Sequence, residues 1–231
     1  MLPSHCFELQ VNLTASDNSG DFFIPSFNCP HRIERLGQRG DGGKWMCGIE
    51  RLAQKRTPCI VYSLGVEQDS TFEEAFLKKA PNCEIWGYDY SVTQFGPQLR
   101  NSPYGSKAHF FQYALGATDN HQATPPTYTL ASMMKENGHT FIDILKIDVE
   151  GSEFESLAQF VRPYLDRDGP AIPIGQMQIE IHAWGDNSDF VKFLKWWEDL
   201  ERAGLRPFFT EPNLPHANRV RNAADVTEVR L

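Results

Sequence analysis

The sequence predicts a doubly wound α/β domain, and three observations carry the prediction. Short apolar runs alternate with segments of helical periodicity along most of the chain. One run, Phe141–Val149, leads directly into a helical pattern opened by Gly151 and Ser152, which is the strand-to-helix step of such folds. No repeat or low-complexity linker interrupts the series. At 231 residues, with 41% hydrophobic and 23% charged, the chain has the balance of an ordinary soluble globular protein and is long enough for one large domain.

Taken in order, residues 1–44 are rich in Asn, Ser, Gly, Pro and Phe and read as an irregular arm or cap, packed on the domain through Phe22–Ile24 and Phe27. Asp41-Gly42-Gly43-Lys44-Trp45 reads as a turn leading into an anchoring Trp45, or as part of an arm that roofs a ligand site. Residues 45–231 form the domain. Cys59–Leu64 is a β-branched and aromatic run, the first core strand. Gly65 follows, and then Ser70 with Glu73 three residues later, a capping box for a helix whose Phe72, Phe76 and Leu77 face the sheet. Glu84–Tyr88 is a second strand, ending in Asp89, and His109–Leu115 is a third. A short helix over Thr129–Asn137 closes at Gly138. Phe141–Val149 is the fourth strand, followed by a helix with a second capping box, Ser152 to Glu155. Gln176–His182 is the fifth strand. The clearest helix runs from Ser188 to about Ala203, with Phe190, Phe193, Leu194, Trp197 and Leu200 on one face and Gly204 ending it. Arg206–Thr210 and Val226–Leu231 are two further strands, placed to form an antiparallel pair at the sheet edge.

Charge and composition remove whole classes of function. A formal charge of −8 argues against a nucleic-acid surface, which needs clustered Lys and Arg. No apolar run approaches the roughly 18 residues of a membrane span. The N-terminus lacks a basic region followed by an apolar stretch, so the expectation is a cytoplasmic protein, with a secretory-pathway location left open. The five cysteines contain no CxxC pair, which argues against structural zinc, and their odd number and scatter favour reduced thiols. A bond between Cys47 and Cys59 at the base of the domain is the alternative.

The fourth strand holds the anomaly that points to a site. Lys146, Asp148 and Glu150 lie at spacing two and share one face, where charge costs free energy unless it is paired or used. Ligands of open α/β sheets bind at the carboxyl ends of strands. Gln178, Glu180 and His182 make a matching polar stripe on the fifth strand. If the two strands are neighbours, the stripes meet in one crevice. Lys146 would hold a carboxylate ionised, and His182 has the intrinsic pKa of a general base for a substrate hydroxyl. Asp148, Glu180 and His182 would also serve a divalent metal, although the spacing does not demand one. The same residues read equally as a buried ion-pair network that fixes helix starts.

The loop after the first strand selects the cofactor class. Leu64-Gly65-Val66-Glu67-Gln68-Asp69 offers one glycine and two acids, unlike the G-x-G-x-x-G that a pyrophosphate needs. A cofactor without phosphates but with a cationic tail suits it better. Asp89 is placed to accept from both ribose hydroxyls of a nucleoside, or serves as a turn residue before Ser91. S-adenosylmethionine meets both requirements.

The stretch Leu145–Leu157, LKIDVEGSEFESL, resembles the signature of the FkbM-type methyltransferases. The wider pattern is similar to a eukaryotic branch of methyltransferase-like proteins, through GGKWMC (Gly42–Cys47), VYSLGVEQDSTFE (Val61–Glu73), EIWGYDYS (Glu84–Ser91), YALGATD (Tyr113–Asp119), QIEIHAW (Gln178–Trp184) and TEPNL (Thr210–Leu214). The resemblance implies a class I S-adenosylmethionine-dependent methyltransferase acting on oxygen. Its Rossmann-like, mostly parallel sheet of seven strands would have the order 3-2-1-4-5-7-6. By position, Ser63, Leu64, Gly65 and Glu67 would hold the methionine part of the cofactor and Asp89 its ribose. Tyr90 would border the adenine, with Leu115 counted in the same cofactor set, and Asp148 would sit beside the transferring methyl. His182, Asp148 and Lys146 are the catalytic candidates. The acceptor is a small molecule, sugar or peptide, with no nucleic-acid or membrane partner. Two alternatives stand beside this reading: a Rossmann-like nucleoside-binding module without turnover, and an NAD-dependent oxidoreductase.

Overall fold

Parallel pairing of β4 (Cys59–Leu64) with β5 (Cys83–Tyr88) on one side and β9 (Ile142–Ile147) on the other sets the centre of the fold. The computed structural model describes residues 5–12, 25, 27–40, 42–182 and 185–211. Among these, seven strands form one sheet in the order β11-β1-β10-β9-β4-β5-β6, where β1 is His5–Asn12, β6 Ala108–Phe111, β10 Ile174–His182 and β11 Leu205–Thr210. Every neighbouring pair in it is parallel. This is the Rossmann-like sheet expected from the sequence, with one strand exchanged.

The position between the fifth strand and the edge belongs to β1, a piece of the segment read as an irregular arm. It runs parallel to both β10 and β11. The strand read over 226–231, the Phe22–Ile24 cluster and Trp184 lie outside the described residues. More of the arm is also regular: β2 (Ile33–Leu36) and β3 (Lys44–Cys47) form an antiparallel hairpin. The expected third strand divides into β6 and the short β7 (Ala114–Leu115), which pairs with β8 (Thr127–Tyr128).

Helices cover both faces, as central parallel strands require. On one face α1 (Ile49–Ala53), α2 (Thr71–Lys79) and α3 (Pro97–Arg100) enclose Val61, Phe72, Phe76, Leu77, Ile85 and Ile144. On the other, α4 (Leu130–Glu136), α5 (Glu153–Val161) and α6 (Phe190–Arg202) bury Leu145, Ile147, Leu157, Ile179, Phe193 and Trp197. Residues 142–147 of β9 are therefore buried throughout. Thr129 and Asp189 cap α4 and α6 by accepting from Ser132 N and Lys192 N. Gly138 and Gly204 end these two helices at φ 68° and 101°, as the sequence predicts. Neither capping box forms: Ser70 and Ser152 precede their helices without a side-chain cap. Among the described residues no helix is long and apolar enough to cross a membrane.

Four of the five cysteines are not reduced, and the pairing differs from the alternative considered. Cys59 bonds Cys83, its register partner at the start of the neighbouring strand, with Cα atoms 4.4 Å apart. Cys29 bonds Cys47 and fastens the segment before β2 to the end of β3. The Cys59–Cys83 bond spans 24 positions, and cross-linking a loop of that size restricts the unfolded chain by about 3 kcal/mol. A Cys59→Ala/Cys83→Ala protein is expected to lose about that much in urea unfolding under non-reducing conditions. An unchanged midpoint would show that the bond contributes nothing.

Candidate functional site

At the tip of β4 the chain turns at Gly65, with φ 75°. Its N–H donates to Tyr88 O (2.9 Å), and Asp148 N donates to Leu64 O (3.0 Å), so three strand tips are tied together. A Cβ at Gly65 would fall well inside contact distance of the Asp148 carbonyl oxygen, so only glycine fits. Beyond this junction opens a cleft of about 640 Å³, part of it open solvent. Its walls are Leu64, Gly65 and Glu67 after β4, Tyr88–Ser91 after β5, Tyr113–Leu115 at β7, and Asp148–Glu150 with Ser152 after β9. Seven of the eight expected cofactor residues thus converge in one place: Leu64, Gly65, Glu67, Asp89, Tyr90, Leu115 and Asp148. The described non-glycine residues with positive φ are Glu67 (49°) and Glu150 (54°), and both line the cleft. Left-handed backbone at such residues is strained and clusters at functional sites.

Two expected residues lie beneath the cleft instead of in its wall. Ser63 donates to Glu73 Oε1 (2.5 Å), because its side chain leaves the sheet on the α2 face. Lys146, expected among the catalytic groups, leaves β9 on that face too. It donates to Gly65 O (2.6 Å) and stands 3.8 Å from Glu73, so it tethers the loop from below. Glu73, read as half of a capping box, is wholly buried between them.

Asp89 is where the sequence places it, but its oxygens already accept four hydrogen bonds. Oδ2 takes Val66 N (2.9 Å) and Glu67 N (2.7 Å), and Oδ1 takes Ser91 N and Oγ (both 2.7 Å). A carboxylate has about four such acceptor sites. Asp89 therefore shapes the loop, and the turn-residue reading holds alongside any ribose contact. The opposite wall is aromatic: Tyr88 stacks on Phe111 at 5.3 Å and Tyr113 on Tyr128 at 4.0 Å. The Tyr88 hydroxyl accepts from Asn137 Nδ2 (2.5 Å). Burial, with Tyr62 alongside, pushes its pKa far above the usual tyrosine value.

β9 and β10 are neighbours, with Lys146 opposite Gln178, so the two polar stripes do meet. They are covered by the β2–β3 hairpin. Gln176 brackets Cys47 through Cys47 N (3.0 Å) and Cys47 O (2.9 Å). Lys44, 1% exposed, donates to Glu180 Oε2 (3.0 Å) and Asp148 Oδ2 (3.3 Å). Sequence reading missed this lysine by taking Gly42-Gly43-Lys44 as a turn. Nothing in the glycine-flanked stretch GGKWMC marks this lysine as buried.

His182 is 1% exposed. Its backbone N–H donates to Glu153 Oε1 (2.7 Å), and Nδ1 lies 3.2 Å from the same oxygen. Nε2 stands 3.7 Å from Glu150 Oε2, 3.8 Å from Asp148 Oδ1 and 3.9 Å from Glu180 Oε1. Burial pulls its pKa down, but the hydrogen bond and charge of Glu153, with Asp148 and Glu150, outweigh that and push it up to about 9. These carboxylates favour the charged form of the ring, which disfavours the general-base role expected from the sequence. Glu153 is the second group that sequence reading missed, as a helix-start residue. Of the residues expected for a metal, Asp148 and His182 come together in a group that could hold one, with Glu150 in place of Glu180. The donor atoms of Asp148, Glu150 and His182 lie within 4.8 Å of one another, whereas Glu180 is engaged by Lys44.

The sequence matches a family model described as "Methyltransferase domain" over residues 14–224. It is 29% identical over 175 residues to the rat (Rattus norvegicus) protein named "Probable methyltransferase-like protein 24", covering 68% of this chain and 44% of that one. The human (Homo sapiens) protein of the same name is 28% identical over 175 residues, covering 68% and 43%. The chain thus spans less than half the length of these relatives. No solved structure matches it at a significant level.

Proposed function

The chain belongs to this methyltransferase-domain family, and on that premise we propose that it uses S-adenosylmethionine to methylate an oxygen of a small-molecule, sugar or peptide acceptor. One observation supports the cofactor above the rest. Glu67, Asp89, Asp148 and Glu150 all line the cleft, and among the described residues no lysine, arginine or histidine does. Such a wall repels phosphates and suits a ligand with a sulfonium and an ammonium group. When bound, the cofactor supplies a methyl group on a positively charged sulfur. The Gly65–Glu67 turn would hold its amino-acid end, and Tyr90, Tyr113 and Leu115 its base. Asp89 contributes through the loop amides and Ser91 that it fixes. Asp148, at the junction of the two polar stripes, orients the acceptor hydroxyl, so that positioning does most of the catalytic work. Lys44 holds Asp148 from behind, with His182 beside it. The two disulfides favour folding in an oxidising compartment over the cytoplasm expected from sequence.

Thermal unfolding with S-adenosylmethionine, S-adenosylhomocysteine and NAD tests the reading. Either sulfur nucleoside at a hundred times its dissociation constant is expected to add about 2.7 kcal/mol, and NAD nothing. Stabilisation by NAD alone would reverse the assignment.

A further inference from the structure

Three donor atoms from separate positions converge where β9 and β10 end. His182 Nε2 is 3.8 Å from Asp148 Oδ1 and 3.7 Å from Glu150 Oε2, and all three lie within 4.8 Å of one another. These spacings are too long for hydrogen bonds. They suit ligands of one ion, because donors about 2.1 Å from a metal stand at most about 4.2 Å apart. Closing by about half an ångström would complete the set.

The surroundings are those of a metal ligand set. Nδ1 of His182 faces Glu153 Oε1 at 3.2 Å. Metal-bound histidines almost always give their other ring N–H to a carboxylate, a backbone carbonyl or water, and a carboxylate so placed aims Nε2 at the ion. Lys44 engages Asp148 through Oδ2, and Oδ1 stands 3.8 Å from His182 Nε2. Glu150 reaches over from a left-handed backbone, φ 54°, and its exposed side chain keeps the position open to solvent.

We propose that Asp148, Glu150 and His182 bind a divalent transition-metal ion at the rim of the cleft. Mixed imidazole and carboxylate donors favour manganese, iron or zinc over calcium. Three protein ligands leave coordination positions in which an acceptor hydroxyl would be held and made more acidic. That role rests on the methyltransferase reading; the binding of the ion does not.

The test is calorimetric and paramagnetic-resonance titration of the chelator-treated full chain with manganese(II) alone, beside a separate titration with S-adenosylhomocysteine. One saturable manganese site is expected. Glu150→Gly removes a ligand and relaxes the left-handed backbone, so that protein is expected to fold and to bind manganese at least about tenfold more weakly. His182→Gln is expected to weaken it as much. No saturable manganese binding, or equal affinity in both variants and the parent, overturns the proposal. Homocysteine-nucleoside binding without manganese binding would defeat the metal site and leave the cofactor reading intact, and the reverse pattern would defeat only the latter.

Discussion

Lys44→Met is expected to cost about 3–5 kcal/mol of stability, the range for removing one partner of a buried ion pair. Methionine keeps most of the volume of the lysine stem, so the loss would be electrostatic and not a cavity. Lys44 is 1% exposed and faces Glu180, which is wholly buried, and Asp148 at the cleft. Without the ammonium, two carboxylates share one end of the sheet with no lysine between them. They must then take up protons, admit water or separate. Adding Glu180→Met removes one of those charges and is expected to recover much of the loss, since ion pairs replaced wholly by apolar groups are often neutral. Urea unfolding of the single and double variants gives both numbers. If Lys44→Met unfolds within about 0.5 kcal/mol of the parent, the buried pair has no such weight.

Gly65→Ala is expected to abolish useful cofactor binding, by about a hundredfold or more, equivalent to about 2.8 kcal/mol. A left-handed alanine alone costs about 1–2 kcal/mol. At Gly65 the methyl group would also collide with the Asp148 carbonyl, a backbone atom of the central strand that cannot swing aside. Relief requires the tips of β4 and β9 to part, which carries the Glu67 turn out of the cleft and strains the Lys146 bond to Gly65 O. Gly138 is the control: its φ is 68°, and a methyl group there meets nothing within 4 Å. Gly138→Ala should therefore show the backbone penalty alone. Calorimetry with S-adenosylhomocysteine separates the two, and near-equal affinities in Gly65→Ala and the parent would mean that this turn does not shape the binding site.

What could be read from the sequence was local, or periodic. The central strands, the helix ends at Gly138 and Gly204, and the polar face of the fifth strand depend on spacing within one element. Strand adjacency then turned Asp148, Glu180 and His182 into neighbours. The misses came from partners far apart in sequence. Glu73 fits a capping box with Ser70, yet it is captured by Ser63 of the strand before, while Ser70 Oγ accepts from Gly96 N. Glu153 sits at a helix start, yet His182, 29 residues on, holds it. Cys59 and Cys83 look scattered until β4 and β5 align them in register. Lys44 lies 104 residues from Asp148 and 136 from Glu180, distances over which a glycine-flanked lysine gives no sign of burial.

The place of β1 has a consequence for how the polypeptide is made. This strand lies between β10 and β11, and more than 160 residues separate Asn12 from Ile174. During synthesis it leaves the ribosome long before either neighbour exists, at about 5–20 residues per second. It must wait as an unpaired segment while β4, β5, β6 and β9 can already assemble. Closure of the sheet is thus a late step, in which the first of its seven strands in chain order is inserted between β10 and β11. Such distant pairing is intrinsically slow and leaves strand edges exposed to other chains in the meantime.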